Sequence, residues 1–446
     1  MQMQCSDICN YLNVPLQGTD AVFTSISTDS RDLQPGALFI AIKGANFDGH
    51  EYVSEALQRG ATGVLVSKAC DVASNVAVIQ VADTLRAYGQ IAAMHRAKFN
   101  IPMVAVTGSC GKTSVQSMIA AILRQVGNVL SPAGSFNNEI GLPRTLLQLT
   151  PQHQYAVLEM GARKPGDIKY LMEIVNPQVT LVNNVAPAHT ETFGDVDTIA
   201  ATKGEIYTCL QLNGTAIINV DDAYAPYWLS SLKNQQVITF GLEHSADITC
   251  AYIVEEHHRI KMELVTDIGT IQILLPLIGL HNVMNALAAA AAARALDVSL
   301  EDIKGGLESF VTVTRRMEIK AGKNGAKVID DSYNANPVAM ACAVDVLSKQ
   351  AGTKIMVIGD MLELGPLSAE RHKTLGQQAK AAGINKLLAF GKYAQHAAEE
   401  FGNDAAFYAD KDRLIEDLTA MLNPGIVVLV KGSHGMRMNE VVNAII

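Results

Sequence analysis

The chain has 446 residues, and at roughly 150 residues per domain this points to about three domains. Charged residues make up 18% and hydrophobic ones 49%, enough apolar chain to bury real cores and too little charge for general disorder. The 44 acidic against 35 basic side chains leave a net charge of -9, which argues against a protein wrapped around nucleic acid.

The seven cysteines include no C-x-x-C pair, so neither a disulfide framework nor a zinc ribbon is expected. Met1 to Asn10 has no basic region and no apolar core, so no secretory signal is read there. The longest apolar block, Ala286 to Ala293, falls well short of the ~20 residues a membrane helix needs. No pattern suggests a coiled coil or a long exposed apolar face. The expectation is a soluble, monomeric, cytoplasmic protein without a membrane span or a nucleic-acid partner.

The first unit, residues 1–82, alternates β-like runs at Ala37 to Ile42, Gly63 to Val66 and Val76 to Val81 with a helical stretch, Tyr52 to Arg59. The second, residues 83–310, opens with helical spacing over Thr84 to Phe99 and the buried-strand run Met103 to Val106. A helix is predicted over Ser114 to Gln125. Apolar strands at Tyr155 to Leu158, Val179 to Val182 and Ala216 to Ile218 are separated by helical patterns, as parallel βαβ units require. Val283 to Leu296 is a strong helix former. The third unit, residues 311–446, repeats the alternation with strands at Lys327 to Ile329, Ile355 to Ile358, Lys386 to Ala389 and Ile426 to Val430.

The strongest local signal is Met103 to Thr113, a strand running into Thr-Gly-Ser-Cys-Gly-Lys-Thr and then a helix. Gly108 and Gly111 let backbone N–H groups turn onto phosphate oxygens, Lys112 adds a point charge, and Thr113 suits a magnesium ion. Val106 stands where the usual first glycine of such a loop falls, so the loop is a variant. Glu159, read as lying just past its strand, is either a solvated acid or a carboxylate within reach of that ion. His189 and Lys203 follow the strand Val179 to Val182, on the same side. Asn282 and Asn285 lie one turn apart at the start of the alanine helix, where Asn282 serves as an N-cap or both amides meet a purine edge. Arg315-Arg316 lies at a unit junction, where a guanidinium can close onto a γ-phosphate. Asp330 to Pro337 reads as a polar loop. Like Lys431 to Arg437, it leaves the carboxyl edge of the third sheet, where ligands bind in open α/β folds.

Taken together, Thr107 to Thr113, Glu159-Met-Gly, Asn184 to His189, Lys203-Gly-Glu, His281-Asn282 to Asn285, Arg316-Met-Glu and Asp331 resemble the Mur ligase family, ATP-dependent amide-forming enzymes of bacterial cell-wall synthesis. Ser135 to Pro143 and Asp331 to Pro337 are similar to the member that adds D-alanyl-D-alanine to UDP-N-acetylmuramoyl-tripeptide. Ser27 to Arg31 and Gly36 to His50 are similar to that member's UDP-binding domain. The Asp-Asn-Pro-Arg pattern of the member adding the third, diamino residue is not found.

The resemblance implies an α/β fold of three domains: a small N-terminal α/β domain, a central P-loop ATPase domain with a parallel sheet, and a C-terminal Rossmann-like domain. It further implies that Thr107, Gly108, Ser109, Cys110, Gly111, Lys112, Thr113 and Ser114 hold ATP. His281 would also belong to the ATP site, with Asn282 and Asn285 at the base, Asp331 at the ribose and Arg316 at the γ-phosphate. Thr113, Glu159, His189 and Lys203 would serve two magnesium ions, with Lys203 converted by carbon dioxide to a carbamate. Lys112, Lys203, His189 and Arg316 would form the catalytic set. Substrate contacts are implied at Ser30, Arg31, Lys43, Gly44, Asp48, His50, Asn137, Asn138, Tyr333, Asn334, Asn336, Lys431 and Ser433. The family often has glycine where this chain has Arg315. The rival readings are another ligase on the same scaffold, a different Mur ligase or a folylpolyglutamate synthetase, and a nucleotide-gated switch.

Overall fold

The computed structural model of the chain describes residues 2–44, 47–132, 134, 136–187, 190–256 and 259–446. Its strands form three main sheets in sequence order, each flanked by helices. The first sheet runs Leu16–Gln17, Ala77–Gln80, Gly63–Val66, Ala37–Ile40, Ser25–Ser27, and is parallel except for its first strand. The loops after Ser25–Ser27, Ala37–Ile40 and Gly63–Val66 therefore share one edge.

The central sheet has six parallel strands in the order Gln236–Phe240, Thr215–Asn219, Val179–Val182, Met103–Thr107, Tyr155–Glu159, Val129–Leu130. Met103–Thr107 lies between Tyr155–Glu159 and Val179–Val182, so the chain turns in opposite directions on either side of it. That switch point opens a crevice at the carboxyl end of Met103–Thr107, where the glycine loop begins. The four inner strands are almost wholly buried on both faces, as strands covered by helices must be.

Thr84–Arg96 joins two cores. Ala87, Tyr88 and Ile91 pack with the first unit, while Ala92 packs with the central one. The alanine-rich stretch forms the helix Leu280–Arg294, and Ala286 to Ala293 are fully buried. An apolar block of that length is a core helix, here packed beside the glycine-loop helix Lys112–Leu123 in one core with a further sheet. That further sheet is antiparallel, Thr249–Glu256, Arg259–Thr266, Gly269–Leu275, and was not foreseen in the sequence.

The third sheet runs Glu318–Ala321, Lys327–Asp331, Ile426–Lys431, Thr353–Gly359, Lys386–Phe390, Ala405–Tyr408, antiparallel only at its first strand. Insertion of the last strand between Lys327–Asp331 and Thr353–Gly359 makes a second switch point. Three expectations are corrected here. Glu159, Asp330, Asp331 and Lys431 are strand residues and not loop residues, because their backbones stay paired to the strand ends. Lys112 and Thr113 already lie in the glycine-loop helix. Gly279, not Asn282, caps the alanine helix, leaving Asn282 in the first turn.

Gly306, in the helix Leu300–Glu308, touches the glycine-loop helix so closely that a Cβ there would fall on the backbone of Ile122. Gly306→Ala is therefore expected to cost about 1–3 kcal/mol through overpacking and to lower the melting temperature. An unchanged melting temperature would show that the two helices separate freely.

Candidate active site

The glycine loop is held from behind by amides. The Ser109 N–H donates to the Asn184 carbonyl at 2.9 Å, and the Cys110 N–H donates to Asn184 Oδ1 at 2.9 Å. Asn183 Nδ2 donates to the Cys110 carbonyl at 3.0 Å and to Asn285 Oδ1 at 2.9 Å. Gly111 has φ +76, and a Cβ on it would lie within 2.6 Å of both Asn183 and Asn285. Only glycine lets the loop pass this wall. Asn282 Nδ2 donates to the Ile278 carbonyl and Asn282 Oδ1 accepts from Asn285, so both amides expected at the base make contacts inside the protein. Asn183 and Asn184 were missed as site residues, although two amides directly after the strand Val179–Val182 were a visible signal.

Cations crowd the loop. Lys112 Nζ and Lys203 Nζ both donate to the Gly108 carbonyl, at 2.7 and 3.0 Å. Lys203 comes from the helix Val196–Thr208 and is buried. Burial first, and then the nearby charge of Lys112, pull its pKa from 10.5 down to about 7. A third cation arrives from the third unit, where Arg316 Nη2 donates to Thr113 Oγ1 at 2.9 Å.

The opposing charge is Glu159, only 2% exposed. Its Oε2 accepts from the Thr113 hydroxyl at 2.6 Å, and its Oε1 accepts from Asn137 Nδ2 at 2.6 Å. Asn137, expected at substrate, thus supports this carboxylate. A hydroxyl and a carboxylate are hard oxygen donors, a set that fits magnesium completed by phosphate oxygens and water. Among the described residues no group of three or more His, Cys, Asp or Glu is placed to hold a metal. His189 lies outside the described residues. Ser114 follows Thr113 in the first helical turn, and the Thr107 hydroxyl donates to the Met160 carbonyl at 2.7 Å.

The third sheet's edge loops are tied together. Lys431, expected at substrate, is buried and donates to Asp331 Oδ2 at 2.5 Å and to the Asn334 carbonyl at 2.8 Å. The register that sets Asp331 opposite Lys431 makes this pair and takes the ammonium out of the cleft. Ser433 Oγ accepts from the Leu362 N–H, and Asn334 Oδ1 accepts from the Ala335 and His434 N–H groups. Asn336 caps the helix Pro337–Ser348 through the Ala339 N–H, and its Nδ2 reaches Cys110 Sγ at 3.1 Å across the cleft. Asn138 Oδ1 accepts the Gly141 N–H at 2.8 Å, a turn contact. His281 is half-buried, and loss of solvent lowers its pKa against the pull of Asp331.

The first-unit residues gather on the edge of their own sheet. The Ser67 N–H donates to His50 Nε2 at 2.9 Å, which places the imidazole proton on Nδ1, facing Asp48 Oδ1. The His50 N–H and Lys68, 2.9 Å away, hold the Asp48 carboxyl well below its usual range. Arg31 is exposed and grips Asp29 through Nε and Nη2, while Ser30 is buried beside it. Lys43 bridges Asp48, and the Gly44 N–H donates to the Phe47 carbonyl. Ser67 and Lys68 were not foreseen.

Three family models cover the chain: the "Mur ligase family, catalytic domain" at residues 22–96, the "Mur ligase middle domain" at 106–293 and the "Mur ligase, glutamate ligase domain" at 315–434. The chain belongs to the Mur ligase family. It is 41% identical over 444 residues to the UDP-N-acetylmuramoyl-tripeptide--D-alanyl-D-alanine ligase of Escherichia coli strain K12, covering 99% of this chain and 97% of that one. The crystal structure of MurF from Acinetobacter baumannii matches with a TM-score of 0.94 and 33% identity, covering 99% and 98% of the two chains. The MurF ligase of Thermotoga maritima in complex with ADP matches with a TM-score of 0.82 and 27% identity, covering 94% and 96%. Among the described residues of this Mur ligase no helix is long and apolar enough to cross a membrane.

The Lys203 environment gives a pH prediction. Between about 7 and its ordinary 10.5 the unfolded chain holds this proton and the folded chain does not, so stability rises with pH across that window. Below it both states are protonated, and the full cost of burying the charge remains. In carbon dioxide-free buffer, Lys203→Met is expected to flatten the rise of the denaturation midpoint over that range. An unchanged slope would contradict the buried-amine reading.

Proposed function

We propose that this Mur ligase joins D-alanyl-D-alanine to UDP-N-acetylmuramoyl-tripeptide, forming ADP and phosphate, as a step of peptidoglycan precursor synthesis in the cytoplasm. The observation that carries the reading is the end-to-end match to ligases of that activity. Residues 1–82 bind the UDP end of the donor through the Ser30, Arg31 and Asp48-His50 edge. Residues 83–310 bind ATP, and residues 311–446 bring Arg316 and the dipeptide. The working unit is a monomer.

In the first step a carboxylate oxygen of the tripeptide attacks the γ-phosphorus, the bond to the bridging oxygen breaks, and ADP leaves an acyl phosphate. Carboxylate and phosphate repel each other, so Lys112 and Arg316 stabilise the charge gathered at the phosphoryl group. Magnesium, when bound at Thr113 and Glu159, adds Lewis-acid stabilisation of the phosphate oxygens. In the second step the dipeptide amine attacks the acyl carbon, loses its proton, and phosphate departs. Contact of the third unit with Thr113 and Cys110 narrows the cleft and excludes water from the acyl phosphate.

Lys203 is the proposed carbamate. A buried amine whose pKa falls to about 7 is about half neutral near pH 7, the neutral form is the one that adds to carbon dioxide, and the product offers two hard oxygens in place of a cation. With His189 it would complete a second magnesium site.

ADP formation is expected to need UDP-N-acetylmuramoyl-tripeptide and D-alanyl-D-alanine together. Equal phosphate release without the dipeptide would favour a nucleotide-gated switch. Lys203→Ala is expected to lose activity and to regain part of it with added short carboxylates. Full activity of that variant in carbon dioxide-depleted buffer would remove the carbamate from the mechanism.

A further inference from the structure

The turn that carries Arg316 is strained and held at three points. Arg315 has φ +62 and Met317 φ +54, so two non-glycine residues in the left-handed region flank the arginine. Such conformations cost of order 1 kcal/mol each and persist only where surrounding contacts impose them. Those contacts come from the end of the strand Lys327–Asp331. The Tyr333 N–H donates to the Arg315 carbonyl at 3.2 Å, and the Met317 N–H donates to Asp331 Oδ1 at 3.2 Å. The backbone on either side of Arg316 is thereby fixed to one short segment.

The third point is the side chain. The Arg316 guanidinium carbon lies 4.3 Å from the centre of the Tyr333 ring, and that of Arg315 lies at 5.4 Å. The ring also meets His434, edge-on at 5.7 Å. Arg316 Nε is buried without a hydrogen-bond partner among the described residues, so hydrogen bonds alone do not set the plane of the guanidinium. The aromatic face does, and it leaves Nη2 pointing at Thr113 Oγ1 in the central unit.

We propose that Tyr333 is a positioning residue: its ring aims the Arg316 guanidinium across the cleft at the phosphate loop. In this role Tyr333, which the sequence pattern puts at substrate, acts through the arginine. The inference rests on the reading of Arg316 as the cation that meets the transferring phosphoryl group. A long, flexible arginine loses much of its reach when its direction is not fixed beforehand, so the effect falls on the chemical step and not on substrate binding.

The test is steady-state kinetics of Y333L, Y333F, R316A and the double variant R316A/Y333L, with melting temperatures as a check that each folds. Y333L is expected to lower kcat about tenfold, between the sizes of an exposed and a fully desolvated cation–π contact, with KM for tripeptide and dipeptide within about twofold. Y333F keeps the ring and is expected to recover most of that loss. R316A/Y333L is expected to be no slower than R316A, because Tyr333 has nothing to aim once the guanidinium is gone. If the two losses multiply, or if Y333F is as slow as Y333L, the positioning role is overturned. A raised KM for the dipeptide with kcat intact would instead make Tyr333 a substrate contact. R316A with undiminished kcat would overturn the reading of Arg316 itself, and the inference with it.

Discussion

A carboxylate buried at the end of a parallel strand demands an answer to its charge, and three separate segments give it to Glu159. Asn137 donates from the loop before the helix Gly141–Leu146, and Thr113 donates from the glycine-loop helix. Thr113 in turn accepts from Arg316 of the third unit. An isolated buried anion would cost several kcal/mol, so this chain of donors holds the cleft in register. The glycine loop and the third unit both take their positions from it.

The cations distribute by the same logic. Lys112 and Lys203 share one backbone oxygen, an arrangement that repels itself unless an anion joins it or one amine gives up its proton. Phosphate supplies the first remedy, and the depressed pKa of Lys203 is the second. A protein with a net charge of -9 can therefore receive phosphates and carboxylates, because the local field at the loop opposes the overall one. Both switch points contribute: the central one opens the crevice, and the third sheet's one gathers the loops that carry Asn336 and Ser433 toward it.

What was legible in the sequence was local. The glycine loop could be read because strand, positive-φ glycines, lysine and threonine sit within one short segment, and the parallel strands because their apolar runs are continuous. Pairings set by register or by closure were not legible. Thr113 and Arg316 are 203 residues apart, and nothing local to either names the other. Lys431 looked like a substrate cation because the ladder that sets it against Asp331 is a property of two strands 100 residues apart. The antiparallel cover sheet was overlooked although Ile260, Met262 and Leu264 alternate inward, because its polar outer face masks the apolar inner one. The amides at Asn282 and Asn285 presented the reverse difficulty, since a purine edge and a neighbouring amide ask for the same side chain.

Glu159 is the group on which these contacts converge, and calorimetry of nucleotide binding to Glu159→Gln tests its role most directly. Glutamine keeps the shape and accepts from Thr113, but removes the charge that a divalent cation needs. The account predicts that the variant binds metal-free ATP no more weakly than the unchanged chain but loses about tenfold or more in affinity for magnesium-ATP. Equal affinity of the two proteins for magnesium-ATP would contradict it.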